Sequence, residues 1–131
     1  MKKIKIDYKS LSPRAKEDYN YTKVASALAD YGYQCLPTRN DDNGADLIAY
    51  HSESGEMTAI QLKARLAFAK KYIGKNLHIA FRDDNEIFIY PHDEILNKLI
   101  KDGDKTWKAH GVWSSPKLSK KQREALEQYK I

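Results

Sequence analysis

Apolar residues recur at helical spacing in one early segment and alternate with polar ones in several short segments after it. Ser12-Pro13 has the form of a helix start, with the serine capping and proline in the first helical position. The helix it opens runs to about Tyr31, where Gly32 ends it. Tyr21, Val24 and Leu28 form its buried stripe, and Glu17 lies four residues before Tyr21. At roughly 100° per residue these four positions share a ~60° sector, so the acid is expected on the core side. Tyr33-Gln34-Cys35-Leu36-Pro37 reads as an edge strand, since Pro37 cannot donate to a ladder. Asn40-Asp41-Asp42-Asn43-Gly44 is turn chemistry. Strands are expected over 45–51 and 56–64, joined through a turn at Ser52-Glu53-Ser54-Gly55. A basic connector leads to two more, 77–81 and 86–90, around Asp83-Asp84-Asn85. Pro91-His92-Asp93 introduces an amphipathic helix over 94–101, with His92 as a helix-entry residue. A short strand is expected within 107–113 and a final helix over 118–129, with Ser115 or Ser119 near its start. This order predicts one α/β domain over residues 1–131, a mixed central sheet flanked by helices.

Composition narrows the class. Hydrophobic residues make up 41% and charged residues 31% of 131, a globular balance rather than a disordered one. No apolar run reaches membrane-spanning length and the N-terminal residues lack the apolar stretch of a signal peptide, so the expected setting is cytoplasmic with no membrane partner. The single cysteine, Cys35, excludes an internal disulfide, and no Cys/His spacing suits structural zinc. No glycine-rich phosphate loop precedes a helix, which disfavours nucleotide binding. The net charge of +5 is moderate, but its placement is uneven. Arg65, Lys70, Lys71 and Lys75 follow the third strand, Lys117, Lys120, Lys121 and Arg123 gather near the C-terminus, and Lys2, Lys3, Lys5 and Lys9 form a basic arm. The first group is the candidate nucleic-acid-binding set.

The candidate chemistry lies between residues 44 and 65. Asp46 opens one strand. On the next, alternation puts Ala59, Gln61 and Lys63 on one side and Ile60 and Leu62 on the other. Hydrolysis of a phosphodiester needs an activated water and positive charge against the phosphate and the leaving oxygen. Mg²⁺ serves both needs, prefers oxygen ligands from one or two carboxylates, and keeps several waters. Asp46 would supply the anchoring carboxylate, Gln61 its amide oxygen, Leu62 its backbone carbonyl, and Glu17 a further carboxylate. Lys63 would stand by the attacking water. A Gln-x-Lys triplet alone has little weight, because Gln128-Tyr129-Lys130 repeats it without these surroundings.

Asp46, the triplet Gln61-Leu62-Lys63 and Glu17 together resemble the PD-(D/E)XK nuclease superfamily. Its restriction-endonuclease-like fold has an αβββαβ core with an acid opening the second strand and an acid-x-lysine triplet on the third. The run Lys70-Lys71-Tyr72-Ile73-Gly74-Lys75 through Ile79-Ala80-Phe81 to Tyr90-Pro91-His92-Asp93-Glu94 is also similar to bacterial members, and the likeness spans roughly residues 12 to 101. It implies a DNA endonuclease of restriction, homing or repair type, dependent on Mg²⁺ with Mn²⁺ as a substitute. Asp46, Gln61, Lys63 and Glu17 would be its catalytic residues. Cutting both strands needs two sites, so a homodimer or higher homo-oligomer is expected. Glutamine at position 61 replaces the second acid and lowers the charge around the metal by one. A nucleic-acid-binding module on the same fold, without cleavage, is the alternative. A protein-interaction role through residues 107–113 is a third.

Overall fold

The computed structural model describes residues 1–39 and 42–131. Helix α1 (Pro13–Ala29) starts as its sequence dictates: the Ser12 side chain accepts the Ala15 amide, and Pro13 takes the first helical position. Gly32, at φ 85°, carries the chain out of the helix into β1 (Tyr33–Pro37). Strands β2 (Leu47–His51) and β3 (Met57–Leu62) follow as a hairpin, two residues shorter at each outer end than alternation suggested, and β3 also starts one residue later at the turn. Of the expected turn before β2, Asn40 and Asp41 lie outside the described residues. Asn43 and Gly44 take left-handed conformations, at φ 55° and 86°.

Residues 63–76 then leave the sheet and return to it. They carry strand β4 (Leu66–Ala69) and a 3-10 turn (Lys70–Tyr72), not the helix that an αβββαβ order puts between the third and fourth strands. The hairpin of β5 (Leu77–Asp83) and β6 (Glu86–Pro91) turns tightly at Asp84, whose φ is 53°. Helix α2 (His92–Leu99) begins two residues earlier than expected, at His92 itself.

The segment 107–113 corrects the expectation of a strand. Asp104 accepts the Trp107 amide at 2.9 Å and Gly111 closes the end at φ 65°, so Lys105–His110 is a helix, α3. Only β7 (Val112–Ser115) is extended, and it pairs with β4. Helix α4 (Lys120–Leu126) opens on a capping box between Ser119 and Gln122.

The main sheet has the order β1-β2-β3-β5-β6, with β3 and β5 parallel and every other neighbour antiparallel. Alternation divides its side chains between two cores. Leu47, Ala49, Ile60, Ala80 and Ile87 face Val24 and Leu28 of α1. Ile79, Phe81, Phe88 and Tyr90 face the opposite layer, built by β4, α2, α3 and α4 through Leu66, Phe68, Ile95, Trp107 and Leu126. Among the described residues no helix is long and apolar enough to cross a membrane.

Two buried polar side chains hang β4 on this frame. The Tyr90 hydroxyl donates to the Ala67 carbonyl at 2.7 Å and accepts its amide at 3.2 Å. His92 Nε2 accepts the Ala69 amide at 3.1 Å, which leaves Nδ1 as the donor to Asp93 at 2.7 Å. Tyr90→Phe removes one hydroxyl but strands two backbone groups. We expect a loss of about 1–3 kcal/mol in urea unfolding. An unchanged midpoint would mean that water replaces the hydroxyl and that β4 is not held by it.

Candidate active site

The site forms where β2 and β3 part. Leu47 pairs with Ile60, and Asp46 still donates its amide to the Ile60 carbonyl at 2.8 Å. One step further the ladder opens. The Leu62 amide goes to the Asp46 carboxylate at 2.8 Å, while the next amide, of Lys63, donates to Ala80 of β5 at 2.9 Å. The side chain of Asp46 therefore caps the fork between the two strands. Its own carbonyl accepts the Thr38 amide, which ties the fork to the end of β1.

Gln61, the residue after Ile60 on β3, lines the same cleft as Asp46 and is 8% exposed. Its Nε2 donates to the Leu62 carbonyl at 3.3 Å, whereas Oε1 is buried with no hydrogen-bond partner among the described residues. A buried amide oxygen without a donor costs about 1–3 kcal/mol. The Leu62 carbonyl keeps a second lone pair beyond the one Gln61 uses. His78 Nδ1 is the other such buried atom, but it lines a separate pocket of about 280 Å³ with Tyr33, Ile60 and Ile89. Burial there pulls the imidazole below its ordinary range, against the opposing effect of Glu56 and Glu94.

Glu17, Asp46, Gln61, Leu62 and Lys63 all line one cleft of about 790 Å³, between the first turns of α1 and the ends of β1, β2 and β3. The sequence thus identified residues that the fold does gather. Glu17 differs in one respect: it is exposed at the cleft wall rather than turned into the core, since the residues α1 buries, Val24 and Leu28, lie in its second half. Among the described residues no group of three or more His, Cys, Asp or Glu side chains is gathered as a metal site. Of the expected ligands, the cleft offers the carboxylates of Asp46 and Glu17, the Gln61 amide oxygen and the Leu62 carbonyl, and Asp18 lines it as well.

Lys63 is half-buried, and its ammonium lies 5.3 Å from the centre of the Tyr72 ring. Tyr72, 2% exposed, is fixed from below: a Cβ on Gly44 would come within 3.1 Å of it and 2.9 Å of Leu77 Cδ1. The bare backbone before Asp46 and the ring beneath Lys63 are therefore packed together. Nothing in the alternation of β3 pointed to Tyr72, which arrives from the 3-10 turn nine residues later. Tyr8, Lys16 and Asn20 also line the cleft unannounced by the sequence. Tyr8 is held there by the Asn20 amide at 2.9 Å and by the Arg82 guanidinium, 5.0 Å from its ring.

The expected nucleic-acid-binding residues separate. Arg65 and Lys71 line a second groove that adjoins the cleft. Lys70 instead extends over the Trp107 ring at 5.7 Å, and Lys75 is exposed in the following turn, lining neither cavity. In the C-terminal basic group Arg123 is taken up by Asp83 at 2.6 Å and Glu86 at 3.6 Å. No protein-family model, no curated protein and no solved structure matches this chain.

Proposed function

We propose that the cleft hydrolyses phosphodiester bonds of DNA with the help of a divalent cation, Mg²⁺ or Mn²⁺, on a restriction-endonuclease-like fold. The observation that carries this reading is the buried Oε1 of Gln61, without a donor among the described residues, in the cleft that Asp46 also lines. An amide oxygen in that state is satisfied by a cation as well as by a hydrogen bond. Asp46, Gln61 and the Leu62 carbonyl would hold the ion, with Glu17 joining from α1 directly or through water. Two carboxylates with neutral oxygens and waters match what Mg²⁺ prefers. The bound ion would acidify its water and offset charge on the phosphate.

The chain's own groups do the rest. Asp46 is held in position by the Leu62 amide, so it need not reorganise when charge arrives. Lys63, presented by Tyr72, offers an ammonium to the attacking water and the phosphate oxygens. The strand order, with the second and last strands of the main sheet antiparallel to the others, supports the fold assignment. The missing helix between β3 and β5 makes this chain a reduced version of that plan. Two copies would be needed to cut both strands.

Metal binding tests the assignment by calorimetry with Mg²⁺ or Mn²⁺. Wild type should bind, Asp46→Asn should not, and Gln61→Glu should bind roughly 10-fold more tightly, since it restores one negative ligand. Three indistinguishable titrations would overturn it. DNA binding without cleavage is the second reading, favoured because, among the described residues, no three acids stand close enough together to hold a metal ion. It would show as salt-sensitive DNA binding with no metal heat.

A further inference from the structure

The second groove, about 470 Å³, runs along the β4–β7 pair and shares Lys63 and Ala64 with the cleft, so the two are continuous. Their linings differ in charge. The cleft sets Glu17, Asp18 and Asp46 against Lys16 and Lys63, whereas the groove contains Lys63, Arg65 and Lys71 and no carboxylate. Among the described residues none of the ion pairs involves these three cations. Lys71 and Lys63 are instead positioned by the same ring, at 5.1 and 5.3 Å from the centre of Tyr72. The floor and far wall are aromatic and apolar. Trp113 pairs across from Phe68, with ring centres 5.8 Å apart, and remains half-buried while Phe68 is fully covered. Val112 beside it is 51% exposed.

A cationic rim over a partly exposed indole is the combination that binds unpaired nucleotides, whose phosphates need cations and whose bases need a flat apolar surface. A duplex offers only its phosphates, because its bases are stacked inside, and a groove of this volume admits about one or two nucleotides of a single strand. We propose that the groove binds an unpaired DNA strand, with a base stacked on Trp113 and adjacent phosphates on Arg65 and Lys71. The strand then passes Lys63 into the cleft. Resting on the nuclease assignment above, this makes the substrate a single-stranded or branched DNA with an unpaired tail, rather than a continuous duplex.

The test is a fluorescence titration of the whole chain in EDTA with an unlabelled oligothymidylate and, separately, a blunt duplex of equal length. The single strand should quench tryptophan emission and bind at least about 10-fold more tightly than the duplex. Trp113→Ala should weaken single-strand binding about 10-fold or more, as loss of one base–aromatic stack does. Trp113→Phe, which keeps a ring for both stacking and packing on Phe68, should retain most of it. The exposed double variant Arg65→Gln/Lys71→Gln, which threatens no core, should flatten the salt dependence by roughly 1.4 in log–log slope. Equal affinity for duplex and single strand, or a double variant with wild-type affinity and slope, would overturn the proposal. Because the titration excludes metal, failure of the nuclease assignment looks different: intact single-strand preference with no Mg²⁺-dependent cleavage of any DNA. Failure of the groove alone looks like Mg²⁺-dependent cleavage with no single-strand preference in binding.

Discussion

Asp46→Asn is expected to lower Mg²⁺-dependent DNA cleavage on the order of 10³-fold while the melting temperature stays within a few degrees of wild type. The substitution keeps an oxygen for the Leu62 amide, which the carboxylate now accepts at 2.8 Å, and removes only the charge. Asp46→Ala removes both. It should lose the same activity and, in addition, about 1–3 kcal/mol, because the amide at the fork is left without an acceptor. Lys63→Ala should fall about 10²-fold or more, with little effect on folding, since a cation–π contact at a half-exposed site is worth about 0.5–1 kcal/mol. Single-turnover nicking of a supercoiled plasmid, beside thermal melts of the same preparations, separates these effects. Residual activity in Asp46→Asn equal to wild type would assign the cleavage to a contaminant and end the hydrolase interpretation.

Gly44→Ala should be the most damaging small substitution in the chain, costing about 2–4 kcal/mol. Two causes add. The backbone there has φ 86°, which a side chain tolerates poorly, and the new Cβ would sit 2.9 Å from Leu77 Cδ1 and 3.1 Å from Tyr72. Gly55 provides the control. Its φ is also positive, at 74°, but a Cβ there meets nothing within 4 Å, so Gly55→Ala should cost only the conformational part, about 1 kcal/mol. Urea unfolding of both variants reads the difference. Equal midpoints would mean that the layer around Tyr72 yields freely. Because Tyr72 also supports Lys63, Gly44→Ala should depress the cleavage rate beyond its effect on the folded fraction, and Gly55→Ala should not.

The most legible elements were those whose signals are local. β1 matches its expected limits, since alternation ends on a proline that can only lie at an edge. The start of α1 and the Asp84 turn were likewise dictated by a few adjacent residues. That Asp46, Gln61 and Lys63 line one cleft accords with alternation plus a short hairpin. What escaped was non-local. Leu66-Ala67-Phe68-Ala69 is too short and too plain to announce a strand, and it becomes one by docking on Tyr90 and His92 and pairing with β7. Residues 107–113 looked extended because the two tryptophans outweighed the cap at Asp104 and the stop at Gly111. Tyr72 gained its place under Lys63 only through the path of residues 63–76. Glu17, expected on the core side, lines the cleft but is exposed there, because periodicity reports a helix face and not how deeply each turn of it is covered.

The β2–β3 hairpin has a practical consequence. Asp46 and Gln61 sit at one end of these strands and the turn through Gly55 at the other, about 17 Å away for five residues of extended chain. That tip is exposed, and a side chain built on its glycine would meet nothing within 4 Å. A fluorophore, affinity handle or surface tether attached there would leave both openings unobstructed, so single-molecule recordings could follow immobilised protein acting on freely diffusing substrate.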